Sequence, residues 1–221
     1  MNAEQFVRRR PVYLLLDTSG SMRGAPIQAV QQGVTMIHQE LLNNPHAIET
    51  VYLSVITFAD GAQQVAPLAS VENFNPPTLR AEGQTALGAA ITLLEQVMSR
   101  ELIPNTEGRK GDYRPLVFLL TDGAPTDDWQ PAVARFKQQH GNKIGAFVAL
   151  GCGSNVNTET LHAITNDVLY MKDTTPDALK QFFRWVSSSI QKTSQRIGAR
   201  PEESGLDAPP LPPVMKWDRS T

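Results

Sequence analysis

Two uninterrupted apolar runs constrain the fold of this chain more than any other feature of its 221 residues. They are "PVYLLLD" (residues 11–17) and "RPLVFLLTDG" (residues 114–123), and each is closed by polar turn residues. A strand without polar alternation is buried on both faces, as are the strands of a parallel sheet that helices cover. The chain is therefore expected to form an α/β fold.

The segments between the strands have helical periodicity. After the first apolar run, apolar residues recur three or four positions apart, at Ile27, Val30, Val34, Ile37 and Leu41. Strand and helix then alternate up to a last helix that begins at Pro176. A weaker strand at 62–71 contains Pro67, which fits an antiparallel edge. The pattern predicts a doubly wound, mostly parallel six-stranded sheet with one antiparallel edge strand and helices on both faces.

The length suits one large domain with short extensions. We expect an N-terminal arm at residues 1–9, a domain at residues 10–197 and a Pro-rich tail at residues 198–221. The tail holds five of the sixteen prolines, so we expect it to be flexible. Its "APPLPPVMKW" stretch leaves an alternative open, a polyproline segment with an aromatic anchor that docks on a partner or on its own domain.

Charge and composition argue against several classes of function. The formal net charge is −2 with acids and bases interspersed, which is no electrostatic footprint for nucleic acid or for an anionic membrane. No apolar run reaches the ~18 residues of a membrane span, and the apolar stretch near the N-terminus is too short for a signal core. Cys152 is the single cysteine and has no partner for an internal disulfide. We expect a soluble, cytoplasmic protein that binds neither nucleic acid nor membrane.

Polar residues at the ends of the apolar strands are the candidates for function. In an open α/β sheet, ligands bind outside the carboxyl ends of the strands, where the strand order reverses. One apolar strand ends in Asp17-Thr18-Ser19-Gly20-Ser21 and the other in Thr121-Asp122-Gly123, while Thr85 lies in a Gly-flanked loop before a helix. If the two strands are neighbours, two carboxylates and three hydroxyls converge: Asp17, Asp122, Ser19, Ser21 and Thr85.

Three chemistries are to be weighed for such a cluster: a nucleophile, a phosphate cradle and a metal site. None of the four histidines follows a strand and there is no G-x-S-x-G turn, which argues against a serine hydrolase. Neither glycine-rich phosphate motif is present, and an aspartyl phosphotransferase would want an acid where Ser19 stands. Carboxylate and hydroxyl oxygens suit Mg²⁺ or Mn²⁺, and without a Cys/His cluster zinc is disfavoured.

If one of the two acids binds only through water, an ion otherwise held by neutral hydroxyls remains under-neutralised and can accept one more carboxylate from a partner. The site would then act as a docking point and not as a catalyst. A structural alternative stays open for each residue taken singly, since Ser19 and Ser21 could cap the following helix and Asp122 could begin a turn.

Together these residues resemble the metal-ion-dependent adhesion site (MIDAS) of von Willebrand factor type A domains. The resemblance extends over about residues 10–194 and lies in the D-x-S-x-S of residues 17–21, in Thr85 and in Asp122. It implies that Ser19, Ser21 and Thr85 ligate Mg²⁺ directly, with Mn²⁺ as the alternative ion and Ca²⁺ less favoured. It also implies that Asp17 and Asp122 bind directly or through water, and that an acidic residue of a partner protein completes the octahedron.

In overall form, through "RRRPVYLLLDTSGSMRGAPIQAVQQG" and "LTDGAPTDDW", the chain resembles bacterial TerY-type proteins of tellurium-resistance and stress-response clusters. That resemblance implies a protein kinase or a PP2C-like phosphatase as partner. Met22 and Trp129 lie near the site in sequence and are expected to form an apolar collar around the docking point. Asp127 and Asp128 either extend an anionic rim or cap the helix that follows them.

We therefore expect an interaction module and not an enzyme, because no general base or second metal site stands out. Two alternatives remain open at this point. One is a metal-dependent phosphoester hydrolase, and the other is a metal-independent scaffold that binds through its Pro-rich tail.

Overall fold

The computed structural model describes residues 7–195 and 205–218. Its strands, in chain order, are β1 (Arg10–Asp17), β2 (Val51–Phe58), β3 (Ala62–Ser70), β4 (Leu116–Thr121), β5 (Ala146–Cys152), β6 (Asp167–Met171) and β7 (Met215–Trp217). They form one seven-stranded sheet in the spatial order β3-β2-β1-β4-β5-β6-β7. The strands β2, β1, β4, β5 and β6 are parallel to one another, and β3 and β7 pair antiparallel at the two edges.

Helices cover both faces of this sheet, as predicted. They are α1 (Ala25–Leu42), α2 (Pro45–Thr50), α3 (Leu87–Glu101), α4 (Gln130–His140), α5 (Thr158–Ile164) and α6 (Pro176–Gln195), joined in places by short 3-10 helices. Helices α1, α2 and α6 pack on one face, and α3, α4 and α5 on the other. Helices α1 and α6 approach closely because Gly33 has no side chain, and the ring of Phe183 fills the space that a Cβ there would occupy.

Strand β1 is the centre of the core. All eight of its residues are buried. Side chains alternate between the two faces of the sheet, so Leu14 and Leu16 contact the layer of α1 and α6, while Tyr13 and Leu15 contact the layer of α3. Burial on both faces is the reason why the sequence of this strand is apolar without interruption.

The order of the central strands confirms the expected switch point. Strand β1 pairs with β2 on one side and with β4 on the other, with Leu14 opposite both Val55 and Phe118. Chain connections leave β1 and β4 toward opposite sides, which opens a crevice beyond their carboxyl ends. Asp17 and Asp122 both lie at this crevice.

The seventh strand corrects the predicted count of six. Strand β7 comes from the Pro-rich tail and pairs with β6, with Met215 opposite Met171 and Trp217 opposite Leu169. Prolines cannot donate a ladder hydrogen bond, but those of "APPLPP" end before Met215, so the three residues of β7 keep their N–H groups. Three residues are too few for strand periodicity to be visible in the sequence.

Residues 205–218, here called the C-terminal strap, lie against the domain. The indole N–H of Trp185 donates to the carbonyl of Pro209 at 3.0 Å, and the Asp207 N–H donates to Thr193 Oγ1 at 3.0 Å. The strap thus lies docked on its own domain, which is one of the alternatives that the sequence left open. Residues 198–204 and 219–221 of the predicted tail lie outside the described residues.

The predicted N-terminal arm is described from residue 7 onward. Arg9 forms an ion pair with Asp112 at 2.6 Å, and Arg8 donates to the carbonyl of Gly111 at 2.8 Å while lying over the ring of Tyr113. These contacts hold the loop before β4 at the amino end of the sheet, opposite the crevice. Within the described ranges, no helix is both long and apolar enough to cross a membrane.

We predict that Met215→Ala loosens the strap. Met215 is 5% exposed and packs in the apolar layer of α6, so its truncation should weaken docking of the strap by at least about 2 kcal/mol. Hydrogen exchange of the amides that join β6 and β7 should accelerate. Lys216→Ala, at an exposed position of the same strand, removes only an ammonium 5.5 Å from the centroid of the Tyr170 ring and should accelerate exchange less. Equal exchange rates in the intact chain and in Met215→Ala would contradict this prediction.

A second prediction concerns pH and His140, at the end of α4. The ring stacks on Phe136, and neither of its nitrogens has a hydrogen-bond partner among the described residues. Burial lowers the pKa of His140, and nearby Lys143 lowers it further. His140 therefore binds a proton more readily in the unfolded chain than in the folded chain. The free energy of unfolding should thus fall as pH drops below about 6.5.

Replacement by leucine tests this expectation. Denaturant unfolding of His140→Leu should show a smaller loss of stability between pH 7.5 and pH 5.5 than the intact chain shows. Substitution of the exposed His46 by Gln is the matched control for the removal of one histidine. If His140→Leu loses as much stability between pH 7.5 and pH 5.5 as the intact chain, groups other than His140 cause that loss.

Candidate metal centre

Asp17, the last residue of β1, is fully buried and its carboxylate is held in place on both sides. Oδ1 accepts a hydrogen bond from the Ser19 N–H at 2.8 Å, and Oδ2 accepts one from Thr121 Oγ1 at 2.5 Å. Thr121 ends β4, so the second bond joins the ends of the two central strands. Sequence reasoning did not include Thr121 in the site, although its position next to Asp122 at a strand end was a usable signal.

Ser19 and Ser21 connect Asp17 to the second carboxylate, Asp122. The hydroxyls of Ser19 and Ser21 are 3.0 Å apart, and Ser21 Oγ donates to Asp122 Oδ1 at 2.7 Å. Neither serine caps the following helix: no side-chain cap is formed at Ser19, and α1 begins after Gly24. The capping alternative is therefore wrong, and the serines lie between the two acids.

The hydroxyl of Thr85 faces the same crevice. A Cβ added to Gly123 would lie 3.2 Å from Thr85 Oγ1, which places this hydroxyl beside the residue that follows Asp122. Thr85 is buried, and its N–H donates to Thr126 Oγ1 at 3.2 Å. The structure thus brings together all five residues that the sequence predicts as metal ligands.

The electrostatics of this cluster favour a bound cation. Burial raises the pKa of Asp17, and the nearby charge of Asp122 raises it too, against hydrogen bonds from Ser19 and Thr121 that lower it. Burial also raises the pKa of Asp122, against a lowering hydrogen bond from Ser21. No lysine, arginine or histidine of the described residues is found in an ion pair with either acid. Buried charges are normally paired or bound to metal, so a cation would relieve a real cost here.

The donor set fits a hard divalent ion. It consists of two carboxylates and three hydroxyls, oxygen ligands that suit Mg²⁺ and Mn²⁺. In the part of the chain that the structure describes, no group of three or more His, Cys, Asp or Glu side chains could hold a metal, so any ion here depends on the hydroxyls. Ser21 is exposed while Asp17, Ser19 and Thr85 are buried, so the cluster reaches solvent at Ser21.

The expected apolar collar is not formed as predicted. Met22 is fully buried in the layer of α1 and cannot contact a partner, because the 3-10 turn that exposes Ser21 directs the next side chain inward. Trp129 is half-buried at the start of α4 and packs against the layer of α3. Of the two residues that the prediction names, only Trp129 retains surface.

Two further residues near the crevice have structural roles. Cys152 is buried and its thiol lies 3.3 Å from the carbonyl of Thr121, while burial raises the pKa of the thiol well above its usual value. It is thus a packed side chain and not a reactive nucleophile. Asp127 caps a helix, but the helix is α3 and not the expected α4, because its carboxylate accepts from Gly88 and Ala89.

Comparison with known proteins identifies the fold. The family model described as von Willebrand factor type A domain matches residues 12–185. No curated protein matches the chain.

Solved structures with this fold include a von Willebrand factor type A protein from Catenulispora acidiphila, at 18% identity and a TM-score of 0.60. Proximal thread matrix protein 1 from the mussel byssus, with a zinc-occupied MIDAS motif, has 18% identity and a TM-score of 0.59. The pilus adhesin SpaC from Lactobacillus rhamnosus GG has 18% identity and a TM-score of 0.64. The matches cover 83%, 82% and 85% of this chain, which spans 43%, 48% and 31% of those proteins. The likeness is one of fold, and each of these proteins is more than twice as long as the part it shares.

We predict that Gly123→Ala weakens cation binding without unfolding the domain. The added methyl would lie 3.2 Å from Thr85 Oγ1 and displace that hydroxyl, and changes beside a ligand commonly cost about tenfold in metal affinity. Titration calorimetry with Mn²⁺ measures the affinity. Gly61→Ala is the matched control, since a Cβ there meets nothing within 4 Å. Equal Mn²⁺ affinities of the intact chain and Gly123→Ala would contradict this prediction.

Proposed function

Because the chain belongs to the von Willebrand factor type A domain family, we propose that it is a protein-interaction module whose cation site docks an acidic side chain of a partner protein. One observation carries the proposal. Two buried carboxylates, Asp17 and Asp122, are joined through Ser19 and Ser21: the Ser19 N–H donates to Asp17, the two serine hydroxyls are in contact, and Ser21 Oγ donates to Asp122. Neither acid is in an ion pair with a basic residue among the described residues. Such a cluster is costly without a cation. If one of the two acids binds a divalent ion only through water, the ion can accept a further carboxylate from a partner.

Each residue has a distinct part in this function. Ser19, Ser21 and Thr85 are proposed as direct ligands, and Asp17 and Asp122 supply the negative charge. Thr121 donates its hydroxyl to Asp17 Oδ2 and so orients this carboxylate. The bound cation supplies the positive charge that attracts the carboxylate of the partner. Exposure of Ser21 gives that carboxylate a path from solvent.

We propose Mg²⁺ as the resident ion, with Mn²⁺ as its alternative. The all-oxygen donor set supports this choice, since zinc sites usually contain nitrogen or sulfur ligands. The MIDAS motif of the mussel byssus protein is occupied by zinc, so Zn²⁺ belongs among the ions to be compared by titration.

The biological setting is proposed from resemblance. The likeness to TerY-type proteins supports a cytoplasmic role in tellurium resistance or stress response. It further supports a protein kinase or a PP2C-like phosphatase as the source of the docking carboxylate.

A non-enzymatic role is part of the proposal. A hydrolase would need a general base beside the ion, and the histidines whose contacts are described lie elsewhere: His38 against Val71, His140 against Phe136, and His162 near Asp218. The scaffold alternative is disfavoured because the strap engages Trp185 and the edge of β6 of its own domain.

A capture experiment with purified candidate kinase and phosphatase partners tests this function. Binding to the immobilised chain should require Mg²⁺, be lost in EDTA, and fall by about tenfold or more in Ser19→Ala, which removes a proposed ligand without stranding a charge. Ser154→Ala, at an exposed serine in the loop after β5, is the matched control.

Three other outcomes would contradict the proposal. Binding that is indifferent to both EDTA and Ser19→Ala would exclude docking through a cation. Mn²⁺-dependent cleavage of p-nitrophenyl phosphate that Asp122→Ala abolishes would favour the hydrolase. A larger loss of binding on deletion of residues 205–218 than in Ser19→Ala would favour the scaffold.

A further inference from the structure

Helix α3 begins two residues after Thr85 and lacks a cap of its own. Its N-cap residue is Ala86, whose methyl group cannot accept a hydrogen bond. The carboxylate of Asp127, from the loop after β4, caps the helix instead. Its Oδ1 accepts a hydrogen bond from the Gly88 N–H at 3.0 Å, and its Oδ2 accepts one from the Ala89 N–H at 2.9 Å. A negative charge at a helix N-terminus is favourable, so this remote cap holds the start of α3 against the loop that carries Asp122.

The residue before this cap binds Thr85 directly. The N–H of Thr85 donates to Thr126 Oγ1 at 3.2 Å, and the N–H of Thr126 donates to the Thr85 carbonyl at 2.9 Å. Both backbone polar groups of Thr85 are therefore bonded to one residue of the loop after β4. Asp122 begins that same loop, four residues earlier.

Other contacts hold the Thr85 loop, but to different parts of the chain. The N–H of Gln84 donates to Asp60 Oδ1 at 2.9 Å, the N–H of Ala86 donates to the Ala59 carbonyl at 2.8 Å, and the N–H of Gly20 donates to the Gly83 carbonyl at 2.9 Å. These bonds lead to the ends of β2 and β1. Among the hydrogen bonds described for residues 82–89, only those of Thr126 and Asp127 lead to the loop of Asp122.

The first turn of α3 and the loop after β4 are also in direct contact. A Cβ at Gly88 would lie 2.8 Å from the Cα of Trp129 and 3.0 Å from Asp127 Oδ2. A glycine at this position of α3 thus allows the loop to reach the helix. Any larger residue would separate the loop from α3.

We propose that Thr126 and Asp127 are positioning residues of the cation site, which set the place of the Thr85 hydroxyl relative to the Asp122 carboxylate. This inference rests on the proposed function. Neither residue is assigned as a ligand; they act through the backbone of Thr85 and through the first turn of α3. Mg²⁺ accepts little deviation from octahedral geometry, so a small shift of one hydroxyl reduces affinity even when every ligand is present.

Calorimetric titration with Mn²⁺, together with melting temperatures in EDTA, tests the proposal on the full chain. Asp127→Ala should weaken Mn²⁺ binding by about tenfold, and Asp127→Asn, which keeps one acceptor oxygen, should recover part of the affinity. Thr126→Val removes only the acceptor of the Thr85 N–H and should also weaken binding, whereas Thr126→Ser should retain it. Gly88→Ala should resemble Asp127→Ala.

The matched control is Asn157→Ala. Asn157 Oδ1 accepts from the Thr160 N–H at 3.2 Å and caps α5, which contributes none of the proposed ligands. Its removal should lower the melting temperature in EDTA as the loss of a helix cap does, but leave the Mn²⁺ affinity unchanged. If Asp127 only capped its helix, Asp127→Ala and Asn157→Ala would both lower the melting temperature in EDTA, and neither would change the Mn²⁺ affinity.

The outcomes separate the two proposals. An intact chain that binds neither Mn²⁺ nor Mg²⁺ would overturn the proposed function itself. An intact chain that binds Mn²⁺, with unchanged affinity in both Asp127→Ala and Thr126→Val, would overturn only the positioning role. If Asp127→Ala does not fold, the pair Thr126→Val and Thr126→Ser decides: equal affinities overturn the proposal and a selective loss in Thr126→Val supports it.

Discussion

The pairing of β1 with β4 is the constraint on which the rest of this structure depends. It places two buried strands side by side at the point where the chain connections diverge, and so brings Asp17 and Asp122 to one crevice. The hydrogen bond from Thr121 to Asp17 joins the ends of the same two strands. Core and site are therefore not independent, because the apolar side chains that bury β1 on both faces also fix the carboxylate at its end.

The site combines features that oppose each other in the absence of a cation. Burial disfavours charge on Asp17 and Asp122, yet the surrounding hydroxyls and N–H groups are arranged to stabilise it. This is the balance expected of a site prepared for a cation that leaves part of its charge for a partner. The loops that carry Thr85 and Asp122 are bonded to one another through Thr126 and Asp127, so protein contacts alone join the two loops.

The two edges of the sheet differ in the feature that limits further strand pairing. At β3, the exposed Pro67 lies within an edge strand, where a missing N–H costs least. At the other edge, the strap covers β6 with β7 and buries Met215. Unpaired strand edges invite association with other chains, and both features leave less of the edge open to such pairing.

The amino-acid sequence by itself determined the α/β class and the parallel central strands, because periodicity is a local property of the chain. It also predicted five ligand residues, which the fold places around one crevice and whose role in cation binding stays a prediction. The local sequence pattern did not predict features that depend on contacts with residues distant in the chain. The burial of Met22 follows from a turn that only the fold defines, and the cap of α3 comes from Asp127, 40 positions beyond Leu87 in the chain. The seventh strand likewise exists only because the edge of β6 was left for Met215–Trp217 to pair with. Tertiary structure decided these features because a side chain or a short segment is stabilised by what lies against it in space, which its neighbours in sequence do not specify.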